Sequence, residues 1–228
     1  MSPRLRTIVL SFLAVIVACA YATARVEGVG PVGISFTPEL HAPEGVIGLA
    51  LGLPWGEFEA VAGIEASLAV NNANHWMVGL QVTPGVNKAE NPVLAWQAAG
   101  IANHAEDCLG IQTALAWNRC NDSLSGLQLG SANFAGELWR GLQVGFFNRA
   151  GPPGGFDRIQ RGIQFGAVNW SDNISGAQIG LWNRAPDACG LQLGFVNTAT
   201  SIQGLQIGLL NFSNTSSIPC LPFVRASF

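Results

Sequence analysis

The chain of 228 residues is long enough to bury one sizeable core, yet only 11% of it is charged, less than half the roughly 25% of an ordinary soluble domain, and 49% is hydrophobic. Twenty-eight glycines against a single tyrosine set it apart from a standard globular composition, and so much apolar content excludes disorder. A net charge of −3 offers no basic stripe, so no nucleic-acid partner is expected.

Residues 1–24 read as an export signal. Arg4 and Arg6 make a positive n-region, and Ile8 to Ala18 make an apolar h-region too short to cross a bilayer as a helix. Two processing readings compete. Ala22-Thr23-Ala24 is a small-x-small site before Arg25, whereas Ile16-Val17-Ala18-Cys19 resembles a bacterial lipobox that would leave a lipidated Cys19. Under either, the mature chain is expected to leave the cytosol for the cell envelope, outer membrane or cell surface, with the periplasm or the medium as further destinations. Residues 25–44, with Pro31, Pro38 and Pro43, read as an N-terminal cap.

Residues 45–211 form a repeat domain of roughly ten copies of a 14 to 16 residue unit, Gly-x-Gln-x-Gly-x-x-Asn. Gly48-Leu-Ala-Leu-Gly-Leu53 is a degenerate first copy. In the next units six residues separate the anchors: Glu65 from Asn71, Gln81 from Asn87, Gln97 from Asn103 and Gln112 from Asn118. In the later ones five residues separate Gln128, Gln143, Gln164, Gln178, Gln192 and Gln206 from Asn133, Asn148, Asn169, Asn183, Asn197 and Asn211. One insertion, residues 151–158, interrupts the series at the loop signature Gly151-Pro-Pro-Gly-Gly155. Residues 212–228, with Pro219 and Pro222, read as a C-terminal cap.

Each unit carries one strand-like alternation, with Leu191, Leu193, Phe195 and Asn197 on one face and Gln192, Gly194 and Val196 on the other. A one-strand period favours a parallel β-solenoid of about 10–11 coils, because every coil of a parallel stack is equivalent. An antiparallel barrel or meander would duplicate by hairpins and is the alternative. Parallel stacking also places like amides ~4.8 Å apart, where Gln and Asn form hydrogen-bonded ladders. These twelve Gln and Asn of the later units are the expected structural ladder.

The opening Gly48-Leu-Ala-Leu-Gly-Leu-Pro-Trp-Gly56 and the repeats at Gly176–Asn183, Gly190–Asn197 and Gly204–Asn211 resemble a family of exported bacterial surface repeat-containing proteins. The resemblance spans residues 45–228, including the close at Pro219-Cys-Leu-Pro-Phe223 to Phe228. Ser131, Ala114 and Pro84 depart from the pattern. The resemblance implies an exported repeat protein and no assigned activity.

Chemistry is sparse. His41, His75 and His104 lack metal-ligand spacing, and His104-Ala-Glu-Asp-Cys108 reads as a polar turn, since zinc needs a second ligand pair. No nucleophile elbow, phosphate loop or HExxH is present. Glu65 alone among the acids holds a ladder position, beside Gln81, and reads as a charge that discourages edge pairing. No catalytic residue, metal or cofactor is expected. Cys108 and Cys120 fall in turns on either side of one strand and are a candidate disulfide. Trp117, Trp182 and Phe147, each just before a repeat Asn, lie on the face opposite the leucines, as a stripe for a partner or membrane surface or as a second packing face against a cap or another copy of the chain. The functional expectation is a non-enzymatic envelope scaffold that contacts a protein, glycan or membrane surface. The alternative is an outer-membrane β-barrel.

Overall fold

The computed structural model describes residues 29–35, 45–90, 93–151 and 159–227; residues 1–24, expected to be an export signal and including Cys19, residues 25–28 and 36–44 of the expected N-terminal cap, and residues 152–158 of the insertion lie outside the described residues. Among these, every regular element is a strand, and the strands stack into one mostly parallel β-solenoid of about eleven turns. The alternative of an antiparallel barrel or meander is overturned. Gln178 pairs in register with Gln192, and Gln192 with Gln206, as parallel stacking requires.

The stack begins earlier than the repeat. Strand Val29–Ser35, inside the expected N-terminal cap, already pairs in parallel with Gly45–Gly52, which pairs with Trp55–Ser67. At the other end, Cys220–Ser227 folds back antiparallel on Ser201–Ser213 and covers the last coil's open edge. The insertion leaves the stack untouched, because Gln164 hydrogen-bonds Gln143 directly across it at 2.9 Å.

The interior is a bundle of columns running along the axis. One is apolar, with Val46, Val61, Met77, Val93, Leu124, Leu138, Ile174 and Ile202 among its members. A second is made of small residues such as Ala73, Ala89, Ala105, Ala135, Ala150 and Ala199. The other two are the amides, fully buried from Gln81 to Gln206 and from Asn71 to Asn211. Burying so many polar groups is tolerable only if each is hydrogen-bonded. Every Gln Nε2 donates to the Oε atom of the preceding rung at 2.7–2.9 Å, from Gln206 back to Gln81, whose acceptor is Glu65. Every Asn Nδ2 donates the other way, to Oδ1 of the following rung at 2.7–2.9 Å, from Asn71 up to Asn211. The two ladders therefore run with opposite polarity.

Second donors tie the ladders to the backbone. Gln143, Gln164 and Gln178 donate to the carbonyls of Arg149, Trp170 and Arg184 in their own coils at 3.2–3.3 Å. Asn133, Asn148 and Asn183 donate to the carbonyls of Val144, Phe165 and Leu193 in the next coil at 2.9–3.0 Å.

Candidate functional site

With Gln side chains pointing inward, strand alternation sends the residues on either side of each Gln outward. Those residues are mostly Leu, Ile, Val, Phe and Trp, with Ala98, Thr113 and Ala177 as the smaller members. The expectation that Asn197 shares a face with Leu191, Leu193 and Phe195 is overturned: Asn197 is buried, while Leu193 and Phe195 are exposed. A bend at Gly194–Phe195 reverses the phase of the alternation, so Gln192 and Asn197 both point in. Trp117 and Trp182 are 45% and 49% exposed, and they belong with the leucines to one continuous outer surface rather than to an opposite face. The usual order is inverted, with amides inside and much of the apolar complement outside.

The charges divide sharply around the circumference. Between each repeat Gly and the residue before its Asn, no coil carries an ionisable side chain except Glu65, and Glu65 points into the core. Lys88, Arg119, Arg149 and Arg184 immediately follow their Asn residues, and Glu90, Glu106, Asp107, Asp122 and Asp187 lie further round the same half. One half of the solenoid surface is thus uncharged and apolar along the stack, and the other carries the charge.

Within the uncharged half, the later coils form a groove of about 910 Å³. Two rows of side chains make its walls, one including Phe165, Ile179, Leu193 and Ile207 and the other Phe146, Leu181, Phe195 and Leu209. Between them run Gly145, Gly166, Gly180, Gly194 and Gly208 as a bare backbone floor, and Phe223 and Val224 of the C-terminal strand line the groove with them. Glycine is required there by close approach. A Cβ on Gly180 would lie 2.0 Å from the Gly166 carbonyl oxygen and 2.6 Å from Asn169 Nδ2. The earlier coils have an extra corner residue and Ser67, Thr83, Ala99 or Ala114 at the corresponding place, and the groove does not extend over them.

Tryptophan and arginine bracket the coils that carry this groove. On one flank the Arg161 and Arg140 guanidinium groups lie 4.7 and 5.9 Å from the Trp139 ring. On the other, Arg184 and Arg149 approach the Trp170 ring at 4.8 and 5.6 Å, in stacking contacts between neighbouring coils.

The other sequence candidates resolve differently. Cys108 and Cys120 are free thiols buried in two core columns, not in turns, and the expected bridge is not formed. Cys120 Sγ instead donates to the Ser123 carbonyl at 2.8 Å. Burial pushes the Cys108 thiol up to about 12 and raises Cys120 as well. His104, whose imidazole burial holds below its usual range, faces Asn121 at 3.3 Å, while Asp107 accepts from the Ser123 hydroxyl at 2.7 Å and Cys108 points inward. Among the described residues no three metal-capable side chains converge. Glu65 does sit beside Gln81, 2.8 Å away, but fully buried. Burial pushes its carboxyl up to about 8, so it is no edge charge and carries its proton at neutral pH.

No family model, curated protein or solved structure matches the chain. The uncharged half-circumference, which the repeat anchors conceal, is nonetheless visible in the sequence as a run without charged residues, Glu65 excepted, from the repeat Gly position to the residue before Asn.

Proposed function

We propose that this chain is a non-enzymatic, exported envelope protein that lies against a membrane surface through its uncharged half and presents the charged half to the aqueous side. The observation that carries the reading is the segregation of charge around the solenoid. An apolar surface of about eleven coils at ~4.8 Å per coil is roughly 50 Å long, well beyond the scattered exposed hydrophobics of a soluble monomer. Flanking Trp and Arg favour a lipid partner over a protein, because indole rings and guanidinium groups are at home at the headgroup level. The export signal with Arg4 and Arg6, and the resemblance of the repeats to exported surface proteins, favour an envelope address. The mostly parallel stack of coils, a solenoid and not a barrel, favours surface attachment over a membrane-crossing barrel.

Vesicle flotation tests this. The chain from residue 25 onward should float with phosphatidylglycerol-containing vesicles. A double Ile64→Lys, Ile111→Lys variant, altered at two exposed positions away from the groove, should bind at least tenfold more weakly with unchanged folding. Failure of the unaltered protein to float with any vesicle defeats the reading.

A further inference from the structure

We propose that the glycine-floored groove over the last five coils binds a single hydrocarbon chain, from a fatty acid or from one acyl chain of a phospholipid.

Three observations point to hydrocarbon. First, the backbone carbonyls beside the floor are already engaged within the stack. The Phe165 carbonyl accepts from Gly145 N at 3.0 Å and Asn148 Nδ2 at 3.0 Å, and the Ile207 carbonyl accepts from Gly194 N at 2.9 Å and Asn197 Nδ2 at 2.9 Å. On the other side of the floor, Phe146 and Phe195 carbonyls accept from Val168 and Leu210 at 2.9 and 3.0 Å. A peptide or sugar would bury its own polar groups here without partners, losing roughly tenfold or more in affinity for each. A methylene chain loses nothing.

Second, the shape is linear. The floor follows the solenoid axis across five glycines, four coil spacings of ~4.8 Å, or about 19 Å. That is comparable to the ~15 Å of hydrocarbon in one leaflet of a bilayer. Third, the ends differ. Phe223 and Val224 line the groove from the C-terminal strand, whereas at the far end the outer row gives way to Ser131, whose hydroxyl is exposed and donates to the Leu115 carbonyl at 2.6 Å. The chain's methyl end belongs at Phe223 and its polar end toward Ser131. A second copy of the protein is a poor occupant, since a symmetric contact sets one trough against another and leaves both floors unfilled.

The proposal deepens the membrane-facing reading, which supplies the source of the chain, but the two fail separately. Saturated fatty acids from octanoate to arachidate are titrated into the chain from residue 25 onward without vesicles, by calorimetry and native mass spectrometry. Affinity should rise about fourfold per added methylene and level off once the chain fills the groove. A double Ile179→Asp, Phe195→Asp variant, changed at two wall side chains that point away from the core, should keep its melting profile and bind palmitate at least tenfold more weakly. The Ile64→Lys, Ile111→Lys variant should bind palmitate normally.

Absence of binding, no chain-length dependence, or binding indifferent to the wall substitutions overturns the groove, whatever the vesicles do. Palmitate binding without flotation keeps the groove, identifies the ligand as a free fatty acid and sinks the membrane reading. A stable dimer that excludes palmitate and is broken by Phe195→Asp overturns the proposal in favour of self-association.

Discussion

Gln81 donates its Nε2 hydrogen to Glu65 Oε2 at 2.8 Å, so the glutamine ladder begins on a carboxyl group. The coil below places Ala50 opposite Glu65 and Gly56 opposite Asn71, so neither ladder continues downward. Glu65 Oε1 and Asn71 Oδ1 are buried there without a hydrogen-bond partner, both within 3.4 Å of the point a Cβ on Gly56 would occupy. A proton on Glu65 Oε1 lets the carboxyl imitate a glutamine amide, accepting through one oxygen and donating through the other.

This makes stability depend on pH. The Glu65 pKa rises from 4.5 to about 8, so between those values the folded protein retains a proton that the unfolded chain has released. The stabilising contribution is fully present below about pH 4.5 and declines as pH rises, by on the order of 4–5 kcal/mol once above about pH 8. Urea unfolding at about pH 5 and about pH 9 should differ in this sense, and Glu65→Gln should remove most of the difference. Equal pH dependence in the variant would assign the effect to other groups.

Removing one rung mid-ladder should be costly. Asn133 accepts from Asn118 and donates to Asn148 and to the Val144 carbonyl, all at 2.9 Å. Asn133→Ala leaves Asn148 Oδ1 unpaired and orphans one of the two Asn118 Nδ2 hydrogens, the other staying on the Leu129 carbonyl, a loss of about 3–5 kcal/mol at roughly 1–3 kcal/mol per orphaned group. The measurement is chemical denaturation, with the urea midpoint falling at constant slope.

A methyl on the groove floor should be worse than a methyl at the first strand. Gly180→Ala drives its Cβ to 2.0 Å from a backbone oxygen, which only displacement of a coil relieves, and a loss above about 4 kcal/mol is expected. Gly30→Ala meets nothing closer than 3.5 Å and should fall within about 0.5 kcal/mol of the parent. Thermal melts of the two variants side by side decide this.

Thiol labelling reads out the core columns. In the native protein Cys189, which is exposed, should react promptly with a thiol reagent and Cys220 more slowly. Cys108 and Cys120, buried and held as thiols, should react only in denaturant. Rapid native labelling of either would contradict the column assignment.

The period of the repeat made the stacking legible, since Gln and Asn recurring once per strand have a reason to do so only when like residues lie above one another. What misled was parity. Five residues from Gln192 to Asn197 put the two on opposite faces of a straight strand, and only the bend at Gly194–Phe195 turns both inward. Leu193 points out because Gln192 beside it points in, and Phe195 is exposed at the bend itself, against the usual reading of a leucine row as core. Cys108 and Cys120 were misplaced for a related reason: the segments between each Asn and the next repeat Gly look like turns in the sequence, yet they contribute the strands that bury these thiols. Glu65 was read as a surface charge because a carboxylate is normally solvated, and its interior position reverses that assumption.

Opposed ladder polarity also bears on how such a chain can grow. Each glutamine rung presents a donor to the coil before it and an acceptor to the coil after it, and each asparagine rung the reverse. Glu65 closes one end as an acceptor, and Arg225 lies opposite Gln206 at the other. A duplicated or deleted coil between those two residues therefore leaves the amide-ladder bonding of its neighbours unaltered. The protein is a ruler graduated in single coils, whose length can change by ~4.8 Å at a time while both ends stay the same.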